Sequence, residues 1–117
     1  MAAQLRITER QADDVTLLDL EGRLEIGDGD IEFAASVDAL IRAGRFKVVV
    51  NLRDVVHIDS GGIGVLVSKQ ASLRKRGGDL KLVHLPDSTH RALAVTRLLT
   101  VLDTFQSEPD AIASFSG

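Results

Sequence analysis

The stretch His57-Ile58-Asp59-Ser60-Gly61-Gly62-Ile63-Gly64-Val65-Leu66 changes its hydrophobic period midway. Before it, Phe46 to Leu52 is a compact run rich in β-branched residues, as in a strand buried on both faces. Val55, Val56 and Ile58 carry that extended chain on to Asp59. From Ile63 the period is helical. Ile63, Leu66, Val67 and Leu73 lie near one face, with Gln70 the polar interruption. Arg74-Lys75-Arg76 put positive charge in the last turn, where the helix dipole favours it, and Gly77-Gly78 stop the helix. A buried strand that turns sharply into a helix is the unit from which parallel sheets are built.

Towards the N-terminus, Leu5-Arg6-Ile7-Thr8-Glu9 alternates as a half-buried strand does. Asp13-Asp14 is a turn signal, and Val15 to Glu21 reads as a second strand, so the two predict a hairpin that Gly22 ends. Gly27-Asp28-Gly29-Asp30 reads as a loop with helix-capping carboxylates. Phe33, Val37, Leu40 and Ile41 then form one helical face, and Gly44 stands where a left-handed C-terminal cap belongs. Towards the C-terminus, Leu80 to Leu85 predicts a strand closed by Pro86, and Ser88 a cap for a helix reaching about Thr96. Val101 to Phe105 predicts a short strand. Ser107, with Pro109 and Asp110 following, starts a last helix that buries Ile112 and Phe115. The order is β-β-α-β-α-β-α-β-α: an α/β fold with a mixed, mostly parallel sheet of about five strands and four helices.

The chain has 117 residues, the size of one small domain, enough to bury roughly 65% of its unfolded surface. With no Cys, thiol catalysis, disulfides and Cys-based metal sites are excluded. Balancing 14 basic against 17 acidic residues gives a net charge of −3, which offers no electrostatic reason for a nucleic-acid partner. Four Phe are the whole aromatic supply, so base stacking and cation–π cages have little to work with. The N-terminal residues lack a signal-peptide pattern, and no apolar run approaches the ~20 residues of a membrane span. A cytoplasmic protein without cofactor, metal or membrane partner is the expectation.

Function in α/β folds gathers in the loops after the carboxyl ends of parallel strands, which directs attention to Ser60. Two readings are open. Ser60 falls at the expected N-cap, where its hydroxyl would accept a free backbone N–H and stabilise the helix by ~1 kcal/mol. Alternatively, Ser60 carries a phosphate at the positive end of the helix dipole. Gly61, Gly62 and Gly64 would let another backbone approach closely. A phosphate would add roughly −1.5 to −2 charge to a nearly neutral surface and so eject a docked partner.

The core Asp59-Ser60-Gly61-Gly62-Ile63-Gly64 resembles the Asp-Ser-x-Gly-Ile/Leu-Gly motif of the STAS-domain anti-sigma factor antagonists, also called anti-anti-sigma factors. Flanking segments agree with it: Leu20-Glu21-Gly22-Arg23-Leu24, Val50-Asn51-Leu52, Gly77-Gly78-Asp79-Leu80, Leu98-Leu99 and Val101-Leu102-Asp103-Thr104-Phe105. The resemblance spans one STAS domain over 1–117, with its core at about 4–115. It implies a chain, not itself an enzyme, that binds an anti-sigma factor serine kinase and frees a sigma factor. The kinase would phosphorylate it with ATP and dissociate, and a PP2C-type phosphatase would restore it. By position, Ser60 matches the phosphoacceptor, Asp59 the preceding acid, and Gly62 and Gly64 the motif glycines. Glu25 falls where such proteins often carry an acid near the docking surface. The implied partner-binding set is Glu25, Asp59, Ser60, Gly61, Gly62, Ile63 and Gly64. One departure is Gly61, where the family commonly has Ser or Thr. Some STAS domains are scaffolds or ligand sensors, so a module binding other STAS domains or a small ligand is the alternative.

Other chemistries fit poorly. His57, Asp59 and Ser60 are near neighbours on an extended chain and cannot align base and nucleophile by themselves, and Ile58 replaces the first Gly of a nucleophile elbow. His57, His84 and His90 have no close-spaced ligand pair. Gly61-Gly62-Ile63-Gly64 lacks the Lys and Ser/Thr of a P-loop and the spacing of a dinucleotide fingerprint. Arg74-Lys75-Arg76 reads as a solvated helix end rather than a contact for an acidic partner.

Overall fold

The computed structural model describes residues 4–116. β1 (Leu5–Ala12) and β2 (Val15–Leu24) form the expected hairpin, followed by α1 (Gly29–Arg42) and β3 (Lys47–Ile58). Next come α2 (Ser60–Arg74), β4 (Asp79–Val83), α3 (Asp87–Val95), a 3-10 turn at Leu98–Thr100, β5 (Asp103–Phe105) and α4 (Glu108–Ala113). The five strands lie in the order β1-β2-β3-β4-β5. Only β1 and β2 pair antiparallel; the other neighbours are parallel, as helical crossovers require. No helix among the described residues is long and apolar enough to cross a membrane.

Alternation divides the core between the two faces of the sheet. On one face Leu18, Leu20, Val48, Val50, Leu80 and Leu82 pack under Phe33 and Val37 of α1, Leu66 and Leu73 of α2, and Leu93 of α3. On the other, Val15, Leu17, Val49 and Val83 meet Ala111 and Ile112 of the six-residue α4. α4 is too short to cover that face. Beside it the strands carry charge: Arg10 grips Asp19 at 2.6 and 2.8 Å and reaches Glu108, at the start of α4, at 2.7 Å.

Several boundaries move, each for a local reason. Gly22 does not end its strand. It adopts φ +112 beside a register shift, and β2 runs on to Leu24. A Cβ there would strike the Gln4 carbonyl, and the next residue, Arg23, donates its N–H to that same oxygen at 2.9 Å. Asp28 makes no side-chain cap for α1. Gln4 Oε1 accepts from Gly29 N–H at 2.6 Å instead. Ser88 lies inside α3, which starts directly after the extended Pro86. The strand ending at Leu85 stops at Val83, because His84 turns to φ 56. The last strand begins at Asp103 rather than Val101, whose carbonyl accepts from the buried Gln70 side chain. Gly44 (φ +77) and the Ser107 cap, accepting from Asp110 N–H at 3.2 Å, stand where the sequence puts them.

Candidate functional site

The start of α2 is fixed by Asp59, not by Ser60. Asp59 is extended (φ −95, ψ −174) and its Oδ1 accepts from Gly62 N–H at 2.8 Å. The same carboxylate accepts from Ile26 N–H, with Oδ2 at 3.1 Å. One side chain thus caps the helix and ties down the loop after β2. These N–H groups stabilise the charged form, Gly62 first and Ile26 second, so the Asp59 carboxyl is held below its usual pKa; partial desolvation opposes them and nearby His57 assists. The capping reading of Ser60 therefore fails by one position. Ser60 is the first helical residue, its side chain is exposed, and no hydrogen bond of its hydroxyl occurs among the described residues.

The glycines differ in what surrounds them. Gly62 is buried, and a Cβ there would collide with the Leu24 carbonyl oxygen and lie 2.9 Å from Ile58 Cγ2. Its bare backbone lets the end of β2 touch the start of α2, where Asp59 N–H also reaches Leu24 O at 3.4 Å. Gly61 would bring a Cβ to 2.9 Å from Ile26 Cβ, so a Ser or Thr side chain at this position would displace Ile26. Gly64 has open space around it.

Glu25 is not a free acid. Its Oε2 lies 2.5 Å from His57 Nδ1, which must carry a hydrogen to donate there, and 3.4 Å from Arg23 Nη1. Gln4 Nε2 approaches Oε1 at 3.5 Å. Glu25 and His57 thus join the ends of β2 and β3, just before the Ile26–Asp59 bond.

The expected site residues consequently divide into two groups. Glu25, Asp59, Gly61 and Gly62 form the junction between the loop after β2 and α2. Ser60 and Gly64 are exposed and, with Ile63 and Val67, both half-buried against the core, line one wall of an apolar groove whose other wall is Ala92, Thr96 and Leu98. The sequence reading missed that second wall and missed Ile26. Ala92 and Thr96 are four residues apart on α3, a spacing that signals a shared face. Ile26 is an isolated exposed isoleucine, 72% accessible, in a loop of Gly and Asp. Among the described residues no group of His, Asp and Glu has the geometry to hold a metal ion.

A family model described as "Mlab, STAS domain" matches residues 7–103. The anti-sigma F factor antagonist of Paenibacillus polymyxa is 22% identical over 98 residues, 84% of this chain and 84% of that protein. Among solved structures, a Thermotoga maritima protein named provisionally as an anti-sigma factor antagonist superposes with a TM-score of 0.87 at 27% identity, over 95% of each chain. The anti-sigma factor antagonist SpoIIAA in its unphosphorylated form gives a TM-score of 0.73 at 16% identity, over 96% of this chain and 99% of that one. The Bacillus SpoIIAA structure in the phosphorylated form gives 0.72. At 16% identity that likeness is one of fold.

Proposed function

Because this chain belongs to the STAS-domain family, we propose that it is an anti-sigma factor antagonist switched off by phosphorylation of Ser60. In its unmodified form it binds an anti-sigma factor that is also a serine kinase, and a sigma factor is released. The kinase transfers the γ-phosphoryl group of ATP to Ser60 Oγ: the new O–P bond replaces the β–γ bridge, ADP leaves, and the hydroxyl proton passes to a base of the kinase. A PP2C-type phosphatase hydrolyses the ester and regenerates the antagonist. The chain itself presents a surface and catalyses nothing. Its residues 1–117 act as one STAS domain, and a partner that consumes ATP implies a cytoplasmic setting.

The observation that carries this reading is the division of labour between Asp59 and Ser60. Asp59 alone caps α2, so the Ser60 hydroxyl is free and exposed at the first helical position. A phosphate there leaves the cap intact and sits at the positive end of the helix dipole. Its charge of about −1.5 to −2 beside the Asp59 carboxylate changes the surface sharply without a need to refold it. The names of the relatives, and the existence of a phosphorylated neighbour of the same fold, support the same reading.

Incubation with its anti-sigma factor kinase and ATP, followed by intact mass measurement, tests it. One phosphate is expected on the wild type and none on Ser60→Ala. No phosphate on either protein would favour the alternative, a STAS scaffold or sensory module without a phospho-switch. With no Trp or Tyr in the chain, mass or calorimetry is a better readout than intrinsic fluorescence.

A further inference from the structure

Where His84 turns to φ 56 and ends β4, a hollow lies at the carboxyl ends of β4 and β5. Its volume is about 470 Å³, within the roughly 300–1,000 Å³ typical of ligand pockets, and His84, Asp87, His90, Thr104 and Gln106 supply its polar lining. A second hollow, bordered by Arg53, Ser107 and Glu108, shares His84 with it. Ligands of α/β folds bind in the crevice outside the carboxyl ends of the strands. We propose that the joined hollows bind a small zwitterion, with its carboxylate at Arg53, its ammonium at Asp87 and methylenes between. The site shares no lining residue with the groove beside Ser60, and phosphorylation of Ser60 plays no part in it.

Charge selects the ligand. Arg53 is exposed, and no carboxylate among the described residues lies within 4 Å of it. Its side-chain partner is His84, with Nη2 3.0 Å from Nε2. A guanidinium can only donate, so Nε2 accepts, the ring hydrogen is on Nδ1, and the rest of the guanidinium fork stays available. Glu108, in the same hollow, is already engaged. It accepts from Arg10 at 2.7 Å and from Asn51 at 2.9 Å, and Arg10 above all holds its carboxyl below the usual range. Asp54 also borders Arg53, in the neighbouring hollow over β2 and β3. At the other end Asp87 is exposed and forms no ion pair among the described residues. A lone anion drawn to Arg53 would meet the field of Asp54, Asp87 and Glu108. A lone cation drawn to Asp87 would meet Arg53. A molecule that carries both charges complements both ends.

Reach sets its length. Asp87 is three residues after His84, a span of at most roughly 10 Å along an extended chain, and Arg53 touches His84 directly. The two charges are therefore one short molecule apart, and a straight-chain amino acid of about six carbons matches that distance. Between the ends, Leu85 and Phe105 give the wall an apolar part for the methylenes, while His90, Thr104 and Gln106 add hydrogen-bonding groups. His84, common to both hollows, holds a left-handed conformation that side chains rarely adopt and that clusters at binding sites.

The test titrates the full 15N-labelled chain with 6-aminohexanoate at neutral pH and fixed salt, beside hexanoate and hexylammonium as single-charge controls. Saturable amide shifts centred on His84, Leu85, Asp87, Thr104 and Gln106 are expected. A molecule of this size at ordinary ligand efficiency binds with a Kd of roughly 10 mM or lower. Each control should bind at least about fivefold more weakly, having lost one charge-assisted contact. The variants give a readout that a merely structural role would not move. Arg53→Gln should erase the preference for 6-aminohexanoate over hexylammonium, and Asp87→Asn the preference over hexanoate. Both positions are exposed, so both variants should keep the native circular dichroism spectrum. His84→Asn, which still tolerates the left-handed conformation, should weaken binding of 6-aminohexanoate. Four results would each overturn the proposal: no saturable shift at about ten times the expected Kd, shifts centred elsewhere, an equal response to either control, or preferences left intact in the folded Arg53→Gln and Asp87→Asn variants. None of these residues takes part in phosphorylation of Ser60, so failure here leaves the antagonist reading standing, and failure of that reading leaves this site standing.

Discussion

The first turn of α2 has an inward side and an outward side, and they obey different rules. Inward, Gly62 is pressed against the Leu24 carbonyl, and Asp59 is bonded to Gly62 and to Ile26 in the neighbouring loop. Outward, Ser60 and Gly64 touch little and border a groove. The same residue type, glycine, is present on both sides for opposite reasons. Gly62 is there because nothing else fits. At Gly64 the fold would accept a side chain, because nothing lies within 4 Å of the place a Cβ would take. A tightly packed junction and an open surface are thus two residues apart on one helix.

Gly62→Ala should break the inward side, with the largest effect. The new Cβ meets a backbone oxygen, which cannot swing away as a flexible side-chain end would. Overpacking of a tight site costs about 1–3 kcal/mol, and backbone obstruction puts this substitution towards the upper part of that range. Urea denaturation followed by far-UV circular dichroism measures it. A loss below about 0.5 kcal/mol, the size of an ordinary surface change, would mean that the Leu24–Gly62 approach does not constrain the fold.

Gly64→Ala should move the other way by a smaller amount. The position is helical, exposed and free of neighbours within 4 Å. Alanine there relieves the entropy penalty of a mid-helix glycine and stabilises the chain by up to about 1 kcal/mol. If Gly64→Ala destabilised as much as Gly62→Ala, the two sides of the turn would not differ as described.

Strand and helix order and sheet class were legible because alternation and helical periodicity are local signals. Residues that mark termini read less well. Both Asp and Ser are favoured N-caps, so Asp59-Ser60 is ambiguous by one position on sequence alone. Ile26, 33 residues away, breaks the tie, since its N–H also needs the Asp59 carboxylate. Gln70 stood out as a polar residue on an apolar face, but only the fold places the Val101 carbonyl within its reach and so shortens β5. Nothing in the sequence says why position 61 is glycine; the Ile26 side chain in the space above it supplies a reason. The second wall of the groove was illegible because α3 meets α2 only through the tertiary fold.

The smallest effect is the titration of Asp59, and it tests the inward side without altering its packing. The N–H groups of Gly62 and Ile26 lower its pKa below the ordinary 3.8, so the native chain keeps this group charged to more acidic pH than the unfolded chain does. Its contribution to stability is then complete above the unfolded value and is lost as pH falls through the lower, native one. Asp14, Asp79 and Glu108 are shifted in the same direction, so the chain as a whole should weaken on acidification below about pH 4. Asp59→Asn keeps a capping oxygen and a similar shape but removes one titrating group, and its stability should fall less steeply over that interval than the wild type's. Carboxyl-carbon NMR on the wild type gives the direct measure, with a midpoint for Asp59 below 3.8. A midpoint at or above that value would mean that the carboxylate is not held by both N–H groups in solution, and that the loop after β2 is free of α2.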